Sequence, residues 1–139
     1  MVRHGEHEVI SIIDGQTIGV SHRGRELPVQ LLGLRAGALT LTADQLGRDY
    51  QAMSFLRDFL TARRVQLRFD PALGPVVRNG RVLAYVWVFD AHPLLGTREV
   101  LVNAEMLRLG YATLDPDIAH EYAEYFQQAQ AQAPARVGP

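Results

Sequence analysis

The feature that most constrains the fold is a change of apolar period along the first half of the chain. Between residues 8 and 32, three short apolar stretches are separated by tight turns at Asp14-Gly15 and at His22 to Arg25. A β-branched and aliphatic first stretch, alternation in the third and closely spaced turns predict three consecutive antiparallel strands. From Asp44 to Ala62 the apolar residues recur every three or four positions, which predicts a helix. Its expected inward face consists of Leu46, Tyr50, Met53, Leu56 and Leu60.

The second half of the chain predicts two more strands and two more helices. Val65, Leu67 and Phe69 alternate with polar residues as in a strand, and Asn79-Gly80 is a strong hairpin signal before the apolar run Val82 to Phe89. A short helix is expected from Asn103 to Leu109, ended by Gly110 at the C′ position. Asp115-Pro116 is expected to begin the last helix. Its inward residues would be Ile118, Tyr122, Tyr125, Phe126 and Ala129, while Tyr85 and Trp87 are expected in the core.

This order of elements defines a fold class. Five strands, with one helix between the third and fourth and two helices after the fifth, suit an α+β protein built on a small Greek-key β-barrel of the OB type. A chain of 139 residues is most simply one domain with one core. We expect that domain to span roughly residues 7–132, with residues 1–6 and 133–139 as flexible termini.

Composition excludes several function classes. The chain has no cysteine, so thiol catalysis, disulfides and cysteine metal sites are excluded. It carries 14 basic residues, all of them arginine, against 15 acidic ones, so a net charge of −1 gives no global attraction to nucleic acid. There is no secretory signal at the start and no apolar run near the ~20 residues that span a bilayer, so no membrane partner is expected. The compartment and the oligomeric state stay open.

Three segments carry a resemblance to a known family. They are Val9 to Ile18, which contains Asp14-Gly-Gln-Thr17, then Val29 to Ala38, and Asn79 to Tyr85. They resemble the motifs D-G-D-T, R-L-x-G-x-D-x-P-E and Y-G-R-x-L-A-Y of the staphylococcal nuclease (thermonuclease-like) family. The resemblance covers nearly the whole chain and implies a five-stranded OB barrel with three helices, the same architecture that the periodicity predicts.

The resemblance also implies where a catalytic site would lie. Members of the family hydrolyse phosphodiesters with one calcium ion, two arginines and a glutamate. The two calcium-binding aspartates correspond here to Gln16 and Arg35, and the glutamate that activates water corresponds to Ala38. Of the two arginines that hold the phosphate, one corresponds to Gln30 and the other is retained as Arg81.

These substitutions imply a degenerate member of the family. Calcium takes about six to eight oxygen ligands, usually including carboxylates. Gln16 supplies one neutral carbonyl oxygen, Arg35 supplies a positive charge, and Asp14 is the only acidic residue of the site that is retained. We therefore expect no calcium or other cofactor, and no intact catalytic set, because the lost groups act together in catalysis.

Two function hypotheses follow. The first is a non-catalytic interaction module that contacts a protein partner or weakly binds single-stranded nucleic acid. Its candidate phosphate-binding residues are Arg81, Arg35, Arg23 and Arg25. The alternative is a divergent metal-dependent nuclease that combines Asp14 with carboxylates from elsewhere in the chain.

Several side chains have two interpretations at this stage. Arg81 either contacts phosphate or pairs with a carboxylate and packs its stem on the barrel. Arg35 either directs its guanidinium at Asp14 or points into solvent. His22 and His120 are isolated in the sequence and are expected to be exposed.

Overall fold

The structure is a computed structural model that describes residues 6–35, 43–61, 63–92 and 96–134. The described residues form seven strands and three helices. The strands are β1 (Glu6–Asp14), β2 (Thr17–His22), β3 (Arg25–Leu31), β4 (Arg64–Arg68), β5 (Val76–Arg78), β6 (Arg81–His92) and β7 (Gly96–Leu101). The helices are α1 (Ala43–Leu60), α2 (Val102–Arg108) and α3 (Ala123–Ala131). No helix in the described ranges has the length and apolar character needed to cross a membrane.

Five of the strands close into a barrel, as the sequence predicts. β1 pairs antiparallel with β2 and with β4, and β2 pairs antiparallel with β3. The 12-residue strand β6 closes the ring, because its first part pairs parallel with β3 and its second part pairs antiparallel with β4. Two short strands that the sequence did not predict, β5 and β7, extend the sheet by pairing with the two ends of β6.

The hairpin that introduces β6 has the predicted turn. Asn79 and Gly80 both have positive φ, 54° and 74°, and the flanking residues Arg78 and Arg81 are directly paired. Positive φ at both central positions is the type I′ geometry that matches the twist of a two-residue hairpin. This turn starts β6 at Arg81, so it determines where that guanidinium emerges from the barrel.

Helix α1 packs on the barrel through a face that matches the predicted one only in part. Leu56 and Leu60 are fully buried as expected, but the third buried position described on the helix is Ala52. Tyr50 was predicted to face inward and is instead 67% exposed. The small side chain of Ala52 lets the helix approach the turn between β1 and β2, where a Cβ on Gly15 would lie only 3.1 Å from the Ala52 Cβ. The buried stripe is therefore rotated away from Tyr50.

The two C-terminal helices confirm one predicted boundary and correct another. Gly110 follows α2 with φ of 83°, the left-handed conformation expected at C′. The last helix begins at Ala123, however, and not at Asp115-Pro116. Asp115 Oδ1 accepts the backbone N–H of Asp117 at 2.9 Å, so this dipeptide forms a local turn. Phe126 and Ala129 are buried as predicted, whereas Tyr125 is 52% exposed and does not belong to the inward face.

Candidate functional site

The site begins at the turn between β1 and β2. Asp14 Oδ1 accepts the backbone N–H of Gln16 at 2.8 Å, which is the usual hydrogen bond of an Asx turn. The backbone N–H of the preceding residue, Gly15, donates to Asp49 Oδ1 on α1 at 3.0 Å. Sequence reasoning missed Asp49, because nothing local indicates that a helical carboxylate 34 residues away reaches this turn. The helix is thus held at the turn by a polar contact as well as by Ala52.

Arg81 occupies the centre of the site. Its Nη1 atom donates to Asp14 Oδ2 at 2.7 Å and to Thr17 Oγ1 at 2.9 Å. The Arg81 and Asp14 side chains are 34% and 33% exposed, so solvent weakens the ion pair and it contributes no more than about 1 kcal/mol to stability. Thr17 is fully buried and provides a fixed acceptor. Arg81 thus pairs with a carboxylate in this structure, and its contact with phosphate stays a prediction.

Arg35 does not form the pair with Asp14 that one interpretation of the sequence expected. Its side chain is exposed, and its backbone N–H donates to Thr113 O at 2.9 Å. In the described part of the chain, the guanidinium that reaches Asp14 is that of Arg81. The reason is the register of the barrel, because the hairpin at Asn79-Gly80 delivers Arg81 directly to the turn between β1 and β2.

Gln30 lies on β3 next to the same turn. It is directly paired with Thr17 of β2 and with Leu83 of β6, and only 4% of its surface is exposed. The position that the resemblance assigns to a phosphate-binding arginine thus holds a neutral and buried amide. Gln16 is partly exposed, and its backbone carbonyl accepts the N–H of Leu31 at 2.8 Å. Ala38 lies outside the described residues.

The four arginines predicted to meet phosphate do not form one patch. Arg23 and Arg25 lie at the exposed turn between β2 and β3, and Arg25 is paired with His22 at the far end of the hairpin. Thr17, at the other end, is five positions along β2 from His22. At about 3.3 Å per residue, this separation is about 17 Å. Only Arg81 belongs to the Asp14 turn.

A second polar cluster, which the sequence did not predict, lies at the end of β4. The Asp70 carboxylate is 2% exposed and accepts four hydrogen bonds. Oδ1 accepts the N–H groups of Ala72 and Leu73 at 3.0 and 3.2 Å, and Oδ2 accepts the Tyr85 hydroxyl at 2.8 Å and the Glu121 N–H at 2.6 Å. Burial raises the pKa of Asp70, but the hydrogen bonds, led by that of Glu121, outweigh it and hold the pKa below the ordinary value of 3.8.

His120 completes this cluster and corrects the prediction that it is exposed and isolated. Its Nδ1 lies 3.0 Å from the Tyr85 hydroxyl oxygen, and its ring contacts that of Phe126 at 4.8 Å. Since the Tyr85 hydroxyl gives its proton to Asp70, Nδ1 of His120 must be the protonated nitrogen that donates to Tyr85. Burial lowers the pKa of His120 and raises that of Tyr85, and both shifts favour the neutral form of the side chain. The cluster ties β4, β6 and the segment before α3 together.

Tyr85 is fully buried, as predicted, and Trp87 is partly buried against the core. His22 is exposed as expected but is not isolated, since its ring centroid lies 5.5 Å from that of His7. Within the described ranges, no three residues of the His, Cys, Asp and Glu types come close enough together to hold a metal ion.

Comparison with known proteins assigns the chain to a family. The family model described as Staphylococcal nuclease homologue matches residues 41–137. The chain is 30% identical to a thermonuclease of Staphylococcus hyicus over 130 residues, which cover 91% of this chain and 70% of that protein. It is 34% identical to a thermonuclease of Staphylococcus intermedius over 91 residues, which cover 64% of this chain but only 52% of that protein. The chain therefore belongs to the staphylococcal nuclease family.

The family match is unevenly distributed over the site. Residues 41–137 include Arg81 and the Asp70 cluster, whereas Asp14, Gln16, Gln30 and Arg35 lie before the matched segment. The longer alignment with the Staphylococcus hyicus protein covers most of the chain. The match to the family model thus includes Arg81 but not the turn that carries Asp14.

Proposed function

We propose that this nuclease-like domain has lost calcium-dependent phosphodiesterase activity and serves as a binding module. The observation that carries this proposal is the pairing of Arg81 with Asp14, at 2.7 Å. The one retained carboxylate and the one retained arginine of the family motifs neutralise each other. In an active site of this kind the carboxylate would face a metal cation and the arginine would face a phosphate. Here the guanidinium of Arg81 takes the place of the cation, and the carboxylate of Asp14 takes the place of the phosphate.

The donor set at the Asp14 turn does not fit calcium. Calcium takes about six to eight oxygen ligands at short distance. Oδ1 of Asp14 is already bonded to the Gln16 N–H, and Oδ2 is bonded to a guanidinium. A cation that approached Oδ2 would meet the positive charge of Arg81 and would have to displace it. Gln16 adds no charge, and Arg35 is a cation at the second metal position of the motif.

The groups that would stabilise a transition state are also missing. Hydrolysis of a phosphodiester needs a nucleophile and positive charge where negative charge develops. Ala38 cannot accept a proton, and Gln30 is buried and neutral. Removing one such group commonly lowers the rate by about 10²-fold or more, and losses of groups that act together are not rescued by those that stay.

One observation favours the alternative, a divergent metal-dependent nuclease. Asp49 brings a second carboxylate to the Asp14 turn. Its Oδ1 atom is bonded to the Gly15 N–H, however, and a site with only Asp14 and Asp49 would offer two carboxylates beside the guanidinium of Arg81. The calcium experiment below distinguishes this alternative from the proposal.

The first prediction is that calcium has no effect on the wild-type protein. Because a ligand stabilises a folded protein only if it binds that state, millimolar calcium should leave the melting temperature unchanged. No cleavage of single-stranded DNA should be measured with or without chelator. The matched control is a variant that rebuilds the family motif, Gln16→Asp with Arg35→Asp and Ala38→Glu. A calcium-dependent rise in its melting temperature would show that the assay detects the site. Wild-type cleavage that chelator abolishes would contradict the proposal.

The second prediction concerns nucleic acid. Single-stranded DNA should bind weakly, with a dissociation constant no lower than about 10⁻⁵ M at physiological salt, because few phosphate contacts release few counterions. Arg81→Ala removes one potential contact and leaves Asp14 as an unpaired negative charge, so it should weaken binding and lower the salt slope by about 1. Arg23→Ala, at the far end of the hairpin, is the control and should change binding less. Tight binding that Arg81→Ala leaves unchanged would place the binding surface elsewhere.

A further inference from the structure

A groove on α1, away from the Asp14 turn, has an unusual lining. It has a volume of about 670 Å³ and is formed by the helix and by Tyr111, which follows α2. Four of its lining side chains are aromatic: Tyr50, Phe55, Phe59 and Tyr111. Among the lining residues that the structure describes, the charged one is Asp58, whose side chain is exposed. The described lining therefore combines aromatic surface with one carboxylate, and the guanidinium carbon of Arg63 lies 5.4 Å from the centroid of one lining ring, that of Phe59.

The aromatic rings of the groove pack against one another. Phe55 stacks on Tyr111 with their centroids 4.9 Å apart and an interplanar angle of 18°. It also contacts Phe59 edge to face, with centroids 5.4 Å apart. Tyr50 is 67% exposed, which leaves most of its ring available for a ligand. A wall of packed rings next to one exposed ring costs little conformational entropy when a ligand binds.

Charge complementarity indicates the class of ligand. The face of an aromatic ring attracts cations, and a guanidinium stacks on it particularly well because it is planar and weakly hydrated. The chain itself shows this preference here, since the guanidinium carbon of Arg63 lies 5.4 Å from the centroid of Phe59. Asp58 adds a carboxylate, whose two oxygens match the fork of a guanidinium. A lysine ammonium fits less well, because it is a strongly hydrated point charge.

We propose that this groove binds an arginine side chain presented by a partner protein. The aromatic rings would contact the flat face of the guanidinium, and Asp58 would accept its N–H groups. The inference is independent of the fate of the nuclease site, since none of these residues contacts the Asp14 turn through a described hydrogen bond or ion pair. Arginine binding by the groove can therefore be disproved while the proposed function stands, and the proposed function can be disproved while arginine binding stands.

The test uses three short blocked peptides, Gly-Gly-X-Gly-Gly, with arginine, lysine or citrulline as X. Citrulline keeps the shape of arginine but lacks its charge. Binding is followed by NMR through the aromatic resonances of Tyr50, Phe55 and Tyr111. A single side chain should bind with a dissociation constant of about 1 mM or below, and the arginine peptide should bind about tenfold tighter than the citrulline peptide. The lysine peptide should bind between the two.

Two variants locate the site without endangering the fold. Tyr50→Ala and Asp58→Asn replace exposed side chains, and each should weaken arginine binding about threefold or more with no change in melting temperature. The matched control is Tyr125→Ala on α3, which removes a tyrosine that is 52% exposed and should leave binding unchanged. Four results would overturn the proposal. They are no binding at 10 mM peptide (about ten times the expected dissociation constant), equal binding of the citrulline peptide, an equal effect of Tyr125→Ala, or sedimentation as a dimer that Tyr50→Ala dissociates.

Discussion

Asp70→Ala is expected to lower the free energy of unfolding by about 3–5 kcal/mol, because it removes the acceptor of four hydrogen bonds at a site that is 2% exposed. The N–H groups of Ala72, Leu73 and Glu121 and the hydroxyl of Tyr85 would lose their partner together. Each hydrogen bond to a charged acceptor is worth about 1.5–3 kcal/mol, and the losses are not fully additive. Urea denaturation measures the change directly.

Asp117→Ala is the control for this substitution, since Asp117 is an exposed carboxylate and its removal should change stability by less than about 0.5 kcal/mol. The pH dependence provides a second readout. Because the folded-state pKa of Asp70 lies below 3.8, its contribution is present above the unfolded-state pKa and is lost as pH falls through the folded value. The alanine variant should lack this acid-dependent loss. A destabilisation under about 1 kcal/mol would show that the cluster is not structural.

Asn103→Ala is expected to destabilise the fold by about 2–4 kcal/mol. Asn103 is fully buried, and its amide joins the two strands that close the barrel. Oδ1 accepts the N–H of Val86 at 2.9 Å, while Nδ2 donates to Leu32 O at 2.9 Å and Ala84 O at 3.2 Å. Leu32 follows β3 and the other two residues lie on β6, so this side chain reinforces the parallel β3–β6 contact from outside the strand ladder. Thermal or urea unfolding tests the expectation.

One further substitution at this position and one control on α3 test the role of the Asn103 hydrogen bonds. Asn103→Leu keeps the branched shape of the side chain but satisfies none of the three backbone groups, so it should be at least as destabilising as alanine. Gln128→Ala, an amide removed from the exposed side of α3, should have an effect below about 0.5 kcal/mol. If the leucine variant retained wild-type stability, the hydrogen bonds of Asn103 would not be what holds the barrel closed.

Sequence reasoning succeeded where structure is decided by neighbouring residues. The turn at Asn79-Gly80, the glycine at position 110 and the five barrel strands follow from backbone preferences and apolar alternation, which act within a few residues. It failed at Tyr50, because the face that a helix buries depends on what the helix packs against, and the contact with Gly15 favours Ala52. It also missed β5 and β7, which exist because β6 is long enough to offer them an edge.

In the candidate site too, some features follow from the sequence and others depend on the tertiary structure. The substitutions Gln16, Gln30, Arg35 and Ala38 can be read from the chain, because a motif states which residue types a chemistry needs. The pairing of Arg81 with Asp14 spans 67 positions, and several arginines could have filled that role. The register of the barrel strands determines which arginine pairs with Asp14, because it brings the start of β6 to the turn between β1 and β2. Residue identities are local information, but which charge meets which depends on long-range strand pairing, and only the tertiary structure decides that.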